Sequence, residues 1–246
     1  MTIENDHFFR SWSSVVIPAA LLLATILVFE FTDWDITIQD HFYTPEHGWI
    51  IPFDNDDTYT GAALFYYSLT KFLLGIFGGC LLLLALFPKK LHAPASRTQL
   101  VFVIACLIAI PSVVSILKSH TNMPYPRKIK RYGGYAPHRK LHQAVTAYFD
   151  KSLKLYKGWP GGHASGGFAL MGLAFAPKSR RQRRTGFAIA TAMGLFMGLG
   201  HTLDGNHFFS HSLVTWFLAW MIAALLYQFW QWLERRQAEK HPPAMP

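Results

Sequence analysis

Long apolar runs alternate with short polar segments along the chain. Six runs stand out, at about residues 13–31, 62–87, 98–117, 163–177, 186–202 and 208–231. An α-helix rises about 1.5 Å per residue, so about 20 apolar residues cross the roughly 30 Å hydrocarbon core of a bilayer. The pattern therefore predicts an all-α membrane protein with six transmembrane helices. The fourth run is the shortest of the six and is rich in glycine.

The composition agrees with a membrane protein. Hydrophobic residues make up 51% of the 246 residues and charged residues only 15%, whereas charged residues are about 25% of an average soluble domain. The formal net charge is +9, but the excess lies in the segments that flank the apolar runs. For that reason the charge does not indicate nucleic acid as a partner.

Lysine and arginine residues are distributed unevenly among the predicted loops. They occur between the second and third runs, between the fourth and fifth, and after the sixth, at Lys89, Lys90, Arg97, Lys178, Arg180, Arg181, Arg183, Arg184, Arg235, Arg236 and Lys240. With six helices these segments share one side of the membrane with the N-terminus, and the positive-inside rule makes that side cytoplasmic. The opposite loop, 32–61, holds seven acidic residues and no lysine or arginine, which agrees with this orientation.

The loop 118–162 departs from the charge pattern. It is predicted to be external, yet it contains ten of the 23 basic residues: Lys118, Arg127, Lys128, Lys130, Arg131, Arg139, Lys140, Lys151, Lys154 and Lys157. Only Asp150 opposes them. A polyanionic ligand at the outer membrane surface, such as a phosphorylated lipid headgroup, gives a physical reason for this charge. General contact with anionic lipid is the alternative.

Two clusters of glycine and histidine lie where apolar runs meet an aqueous edge. The first, at 159–167, contains Pro160-Gly161-Gly162-His163 at the start of the fourth run. Free backbone amides and the helix dipole at such a helix start favour an anion. We expect the amides of Gly161 and Gly162 to approach that anion and His163 to act as an acid.

The second cluster, at 201–211, holds three histidines. His207 and His211 are four residues apart at the start of the sixth run and therefore share one helix face, and His201 ends the fifth run. Lys118 ends the third run, and Arg127 and Arg131 follow it. A lysine together with a guanidinium group suits a phosphate, because one supplies a point charge and the other a bidentate pair of hydrogen bonds.

These residues together resemble the type 2 phosphatidic acid phosphatase superfamily, whose pattern is Lys-x6-Arg-Pro, Pro-Ser-Gly-His and Ser-Arg-x5-His-x3-Asp. The chain has Pro160-Gly161-Gly162-His163 for the second motif, with glycine for serine. The third motif maps as His201-x5-His207-x3-His211, and the first starts at Lys118 with its arginine displaced to Arg127 or Arg131. The resemblance covers about residues 110–230. Pro160 to Leu170 is also similar to a bacterial branch that writes Pro-Gly-Gly-His-Ala-Ser-Gly-Gly.

The resemblance implies a six-helix membrane phosphatase formed by one polytopic domain over residues 1–246, with its motifs within 118–211. It implies that His207 attacks phosphorus, that His211 orients His207, and that His163 protonates the leaving oxygen. The implied phosphate-binding groups are Lys118, Arg127 or Arg131, the Gly161 and Gly162 amides, and His201. The expected substrate is a phosphorylated membrane lipid, and neither a metal nor another cofactor is implied.

Three alternatives remain open from the sequence. The phosphoenzyme can pass its phosphate to a second lipid instead of water, which makes the protein a phosphotransferase. A zinc enzyme that uses His201, His207 and His211 has suitable ligand types. A lipid-binding or transport protein without catalysis is the third, because His201 stands where the family has a phosphate-binding arginine, and histidine titrates near 6.5.

The loop charges predict the topology of the chain. We expect a multi-pass protein of a bacterial inner membrane with both termini and the segment 178–184 in the cytoplasm, and with 32–61, 118–162 and the site in the periplasm. Reporter fusions after Arg184 and within 140–150 measure this directly. A cytoplasmic reporter that is active within 140–150 would contradict the orientation.

Overall fold

The computed structural model of the protein describes residues 7–52, 61–93, 95–177 and 179–240. Its helices are α1 (His7–Arg10), α2 (Ser13–Phe31), α3 (Trp34–Asp40), α4 (Gly61–Leu86), α5 (Arg97–Ser119), α6 (Leu141–Phe149), α7 (Gly162–Phe168), α8 (Gly172–Phe175), α9 (Arg180–Leu203) and α10 (Phe209–Lys240). Two antiparallel strands, β1 (Tyr43–Thr44) and β2 (Gly48–Trp49), lie between α3 and α4. Asp54, Asp56, Asp57 and Lys178, which contribute to the predicted loop charges, lie outside the described residues.

Five of the described helices are long and apolar enough to cross a membrane. The spans are Ser13–Phe31, Ser68–Leu86, Arg97–Ser119, Arg180–Leu203 and Phe209–Gln237. They confirm the prediction of an all-α membrane protein. Large apolar side chains cover the outside of α2 and α4, as expected of helices that face lipid.

The fourth predicted span, 163–177, is not a long helix. It consists of α7, a 3-10 turn at Ala169–Met171 and α8, which together form what we call the central segment, Gly162–Phe175. At about 1.5 Å per residue the segment is shorter than a bilayer core. Its side chains at Ala164, Phe168, Met171 and Phe175 are fully buried, so this apolar run is covered by protein and not by lipid. The structure therefore differs from the expected continuous helix over 163–177, because this run forms a shorter helical segment with a 3-10 turn in its middle.

The central segment packs closely against α9 because α9 presents small residues at every fourth position. These residues are buried and are Gly186, Ala190, Gly194 and Gly198. A side chain on Gly194 would overlap the ring of Phe168, and one on Gly167 would lie 2.6 Å from the backbone nitrogen of Gly194. Small residues with this spacing let two helix backbones approach one another in a membrane. The packing determines the position of the first turn of α7 relative to the end of α9.

Elements outside the long helices form an outer cap, made of α3, the two strands, α6 and the loop 120–161. The side-chain amide of Gln39 in α3 donates to the Thr202 carbonyl at the end of α9, at 2.8 Å. The Asn122 side chain accepts a hydrogen bond from the Tyr156 backbone at 2.8 Å, which joins the two ends of the loop 120–161. These bonds hold the cap over the ends of α5, α7, α9 and α10.

Several basic residues of the loop 118–162 hold this cap together. Lys140 pairs with Asp33 at 3.0 Å. Arg139 donates to the Asn122 carbonyl at 3.0 Å, and Lys154 donates to the Tyr135 hydroxyl at 2.8 Å. Part of the positive charge of the loop therefore stabilises the cap and does not face the histidines.

The packing of the central segment predicts the effect of one substitution. Gly194→Ala should lower the free energy of unfolding by about 1–3 kcal/mol, because the added methyl group displaces the buried Phe168 ring. Gly79→Ala in α4 is the matched control, since a side chain there meets nothing within 4 Å. Thermal unfolding of both variants in detergent tests this. Equal melting temperatures for the two variants would contradict the close packing.

Candidate active site

Four histidines converge beneath the outer cap. The ring centroids of His163 and His201 are 3.9 Å apart, and the two ring planes are tilted by 31°. The His207 ring lies 5.5 Å from that of His163 and 5.7 Å from that of His211. The Nδ1 atom of His163 and the Nε2 atom of His207 are 3.4 Å apart. The structure thus brings together the four histidines that the two clusters predicted.

His207 is oriented by a backbone group. Its Nδ1 donates to the carbonyl oxygen of Gly158 at 2.9 Å, and since a carbonyl only accepts, the proton lies on Nδ1 and the lone pair on Nε2. His211 lies at 3.5 Å from the same nitrogen, a weaker contact than the one predicted for an orienting residue. Burial, together with the charges of Lys118 and the other histidines, holds the pKa of His207 well below 6.5. The ring is therefore neutral at physiological pH.

His201 is held by an acidic residue from its own cluster. Its Nδ1 donates to the Asp204 carboxylate at 2.8 Å, and both side chains are buried. Asp204 also accepts a hydrogen bond from the Asn206 backbone at 2.8 Å. The carboxylate fixes the orientation of the imidazole ring and leaves Nε2 as its other ring nitrogen. Sequence spacing indicates this pair, because positions 201 and 204 are three residues apart in one helical turn.

The two glycines before His163 have different roles. The Gly161 amide donates to the His211 carbonyl at 3.1 Å, so it is used within the fold and not aimed at a ligand as predicted. At Gly162 a side chain would lie 3.1 Å from the ammonium nitrogen of Lys118. The glycine therefore lets the Lys118 ammonium reach the first turn of α7. Lys118 also lies 5.8 Å from the centroid of the Tyr125 ring.

A cavity of about 420 Å³ lies beside these groups, and we call it the histidine cavity. Its polar lining includes Lys71, Lys118, Gly162, His163 and His201, and its apolar lining includes Leu74, Pro111, Val114 and Met197. No carboxylate lines it among the described residues. A pocket with cations at one end and an apolar wall suits a ligand with an anionic headgroup and a hydrocarbon part.

The structure separates the two arginines that the sequence left as alternatives. Arg131 forms a bidentate pair with Asp40 in α3, with distances of 2.8 and 2.6 Å, at the outside of the cap. Its hydrogen bonds hold the pKa of Asp40 below the usual range. The Arg127 backbone donates to the Gly205 carbonyl at 3.0 Å, and its charge acts on His163. Arg127, and not Arg131, therefore belongs to the histidine cluster.

Asp35 in α3 supports the start of α10, a role that the sequence does not reveal. Its carboxylate accepts hydrogen bonds from the Ser210 amide at 3.1 Å and from the Ser210 hydroxyl at 2.5 Å. The first amides of a helix lack partners within the helix, so this carboxylate caps α10 from another element. Burial raises the pKa of Asp35 to about 6, although the Ser210 hydrogen bonds oppose that rise.

The described residues contain no group of three or more His, Cys, Asp or Glu side chains placed to hold a metal ion. His201, His207 and His211, the ligands of the zinc alternative, do not form such a group. His201 uses its Nδ1 for Asp204 and His207 uses its Nδ1 for Gly158. The arrangement instead combines a neutral imidazole with several cationic groups, which suits chemistry on an anion.

Comparisons with known proteins agree with this arrangement. A family model described as the PAP2 superfamily matches residues 99–235, a region that contains Lys118 and all four histidines. The chain is also similar to a lipid A 4'-phosphatase of Francisella tularensis subsp. novicida (strain U112). The identity is 26% over 217 residues, which cover 83% of this chain and 91% of the relative. No solved structure matches the chain.

The raised pKa of Asp35 predicts a pH-dependent stability. The folded protein keeps the Asp35 proton up to about pH 6, whereas the ordinary pKa is 3.8. The stability from protonated Asp35 is therefore fully present below pH 3.8 and is lost as the pH rises through about 6. Asp35→Asn stays neutral and keeps an acceptor for the Ser210 amide, so its melting temperature should rise relative to wild type between about pH 4 and 6. Above about pH 6.5 the difference should stay constant, because Asp35 is then ionised in both the folded and the unfolded protein.

Asp150→Asn is the control for this measurement. Asp150 is exposed, and its hydrogen bonds with Ser152 lower its pKa, so the substitution should not give a stabilisation that grows with pH. The melting temperatures of wild type, Asp35→Asn and Asp150→Asn, measured across the pH series, test whether the pKa of Asp35 is raised. A difference between Asp35→Asn and wild type that does not change with pH would contradict the raised pKa.

Proposed function

The chain belongs to the PAP2 superfamily, and on that basis we propose that it removes a phosphate group from a membrane lipid through a phosphohistidine intermediate. The substrate is a phosphomonoester or diphosphate of the phosphatidate, prenyl diphosphate or lipid A type, and it is hydrolysed at the outer face of the membrane. The name of the Francisella relative and the mixed lining of the histidine cavity support a phosphorylated lipid.

The observation that carries the proposal is the state of His207. The Gly158 carbonyl holds its Nδ1 proton, so the Nε2 lone pair points to the side where Nδ1 of His163 lies at 3.4 Å. A neutral, oriented imidazole beside a second imidazole is the arrangement expected for a nucleophile and its acid. Its low pKa keeps it ready for attack at neutral pH.

The proposed reaction has two steps. In the first, Nε2 of His207 forms a bond to phosphorus while the bond from phosphorus to the lipid oxygen breaks, and His163 gives that oxygen its proton. In the second, His163 takes a proton from a water molecule, whose oxygen attacks phosphorus, and the bond to His207 breaks. Inorganic phosphate and the dephosphorylated lipid are the products.

The charge that develops on the phosphoryl oxygens is opposed by fixed groups. Lys118, Arg127, His201 and the Gly162 amide take this role, whereas Arg131 and the Gly161 amide are committed to Asp40 and His211. Preorganised donors of this kind supply much of the stabilisation in phosphoryl transfer. The cationic lining of the histidine cavity also repels metal ions, which supports hydrolysis without a metal.

The proposal predicts phosphate release by the purified protein in EDTA and its loss in one variant. Wild type should release phosphate from at least one of phosphatidate, a prenyl diphosphate and a lipid A-type substrate. His207→Ala should reduce the rate by at least about 1,000-fold, because no neighbouring group can replace the nucleophile. Release is measured in detergent, and the melting temperature of each variant is recorded.

His47→Ala is the control, because His47 is an exposed histidine outside the cluster. It should keep the wild-type rate. Equal rates for His207→Ala and wild type would contradict the role of His207. Release that requires added zinc would favour the zinc enzyme, and phosphate recovered on a second lipid would favour the phosphotransferase. Binding of the lipids without any release would favour the non-catalytic protein.

A further inference from the structure

Lys71 is a charged residue in a helix that otherwise faces lipid. It lies in α4, where no other Asp, Glu, Lys or Arg occurs between Gly61 and Leu86. α4 precedes the region matched by the family model, which begins at residue 99. A charge within a membrane-spanning helix is costly, and such residues usually face a polar cavity or take part in function.

Lys71 faces the site described above. It lines the histidine cavity together with Lys118, His163 and His201. Its charge acts on Lys118 and on His163, which places it within electrostatic reach of both. No carboxylate lines this cavity among the described residues, so the charged groups of its lining are basic and suit an anionic ligand.

The third motif has no permanent charge at position 201 in this chain. His201 stands at the position of an arginine in the motif, and an imidazole carries a full positive charge only when it is protonated. Lys71 and His201 line the same cavity from two different helices, α4 and α9. A lysine on α4 can therefore supply, from a second helix, a charge that the third motif lacks.

We propose that Lys71 binds a phosphoryl oxygen of the substrate and compensates for the histidine at position 201. This inference rests on the proposed lipid phosphatase function. In it the Lys71 ammonium joins Lys118 and Arg127 in neutralising the phosphoryl group as His207 attacks. In the alternative role, Lys71 only extends its ammonium group toward the membrane–water interface and does not contact the phosphoryl group.

The test compares Lys71→Met and Lys71→Gln with Lys89→Met. Lys89 is an exposed lysine that follows the other end of α4, so its replacement removes the same charge away from the site and should leave the activity unchanged. Both Lys71 variants should lower kcat/KM about 10- to 100-fold, as expected for one charge-assisted hydrogen bond. Inhibition by orthovanadate, a phosphate analogue, should weaken by a similar factor.

A second measurement asks whether Lys71 compensates for position 201. In the Lys71→Met background, His201→Arg should restore part of the lost kcat/KM, because it returns a permanent charge to the cavity. No restoration would overturn the compensation. Values of kcat/KM and vanadate inhibition within twofold of wild type for Lys71→Gln would overturn phosphate binding by Lys71.

The outcome is separable from that of the proposed function. If His207→Ala abolishes phosphate release while Lys71→Gln behaves as wild type, the phosphatase stands and the role of Lys71 fails. If wild type itself releases no phosphate, the proposed function is contradicted, and with it the role of Lys71 that rests on it. Lys71→Gln keeps a polar side chain of similar length, so it serves where Lys71→Met lowers the melting temperature.

Discussion

The close packing of the central segment against α9 determines where the histidines lie. Small residues on α9 let the two backbones approach until Gly167 lies against Gly194. This contact brings His163, in the first turn of α7, onto the ring of His201 at the end of α9. The His201 carbonyl then accepts a hydrogen bond from the His207 amide at 2.8 Å. The geometry of the site thus follows from helix packing in the interior of the bundle.

Much of this architecture can be predicted from the sequence. The lengths of the apolar runs predict six spans, and five of these runs form helices of membrane-spanning length among the described residues. The family match confirms the resemblance drawn from the three motifs. The fourth run forms a shorter, buried helical segment, which hydropathy alone does not reveal because it does not distinguish apolar residues covered by protein from those covered by lipid. The small residues of this run, and a length shorter than a bilayer core, are the sequence features that indicate a segment covered by protein.

Other features of the site leave little trace in the sequence. The acceptor for His207 is the backbone carbonyl of Gly158, which no residue pattern encodes. Asp35 and Asp40 belong to a loop whose acidic residues predict orientation, yet in the fold they hold Ser210 and Arg131. Lys71 is visible as a lone charge in an apolar run, but only the cavity shows which groups it joins.

The hydrogen bond from His207 to Gly158 has a consequence for how the chain tolerates change. A carboxylate that orients a histidine disappears with one substitution, whereas a backbone carbonyl is present whatever the neighbouring side chains are. Glycine is needed at position 158 itself, because a side chain there would lie 2.5 Å from the Met123 carbonyl oxygen. The side chain at position 211 is therefore not the only group that orients His207. An imidazole can occupy that position, with its Nδ1 3.5 Å from Nδ1 of His207. A reactive histidine supported by the backbone can keep its direction while the residues around it vary.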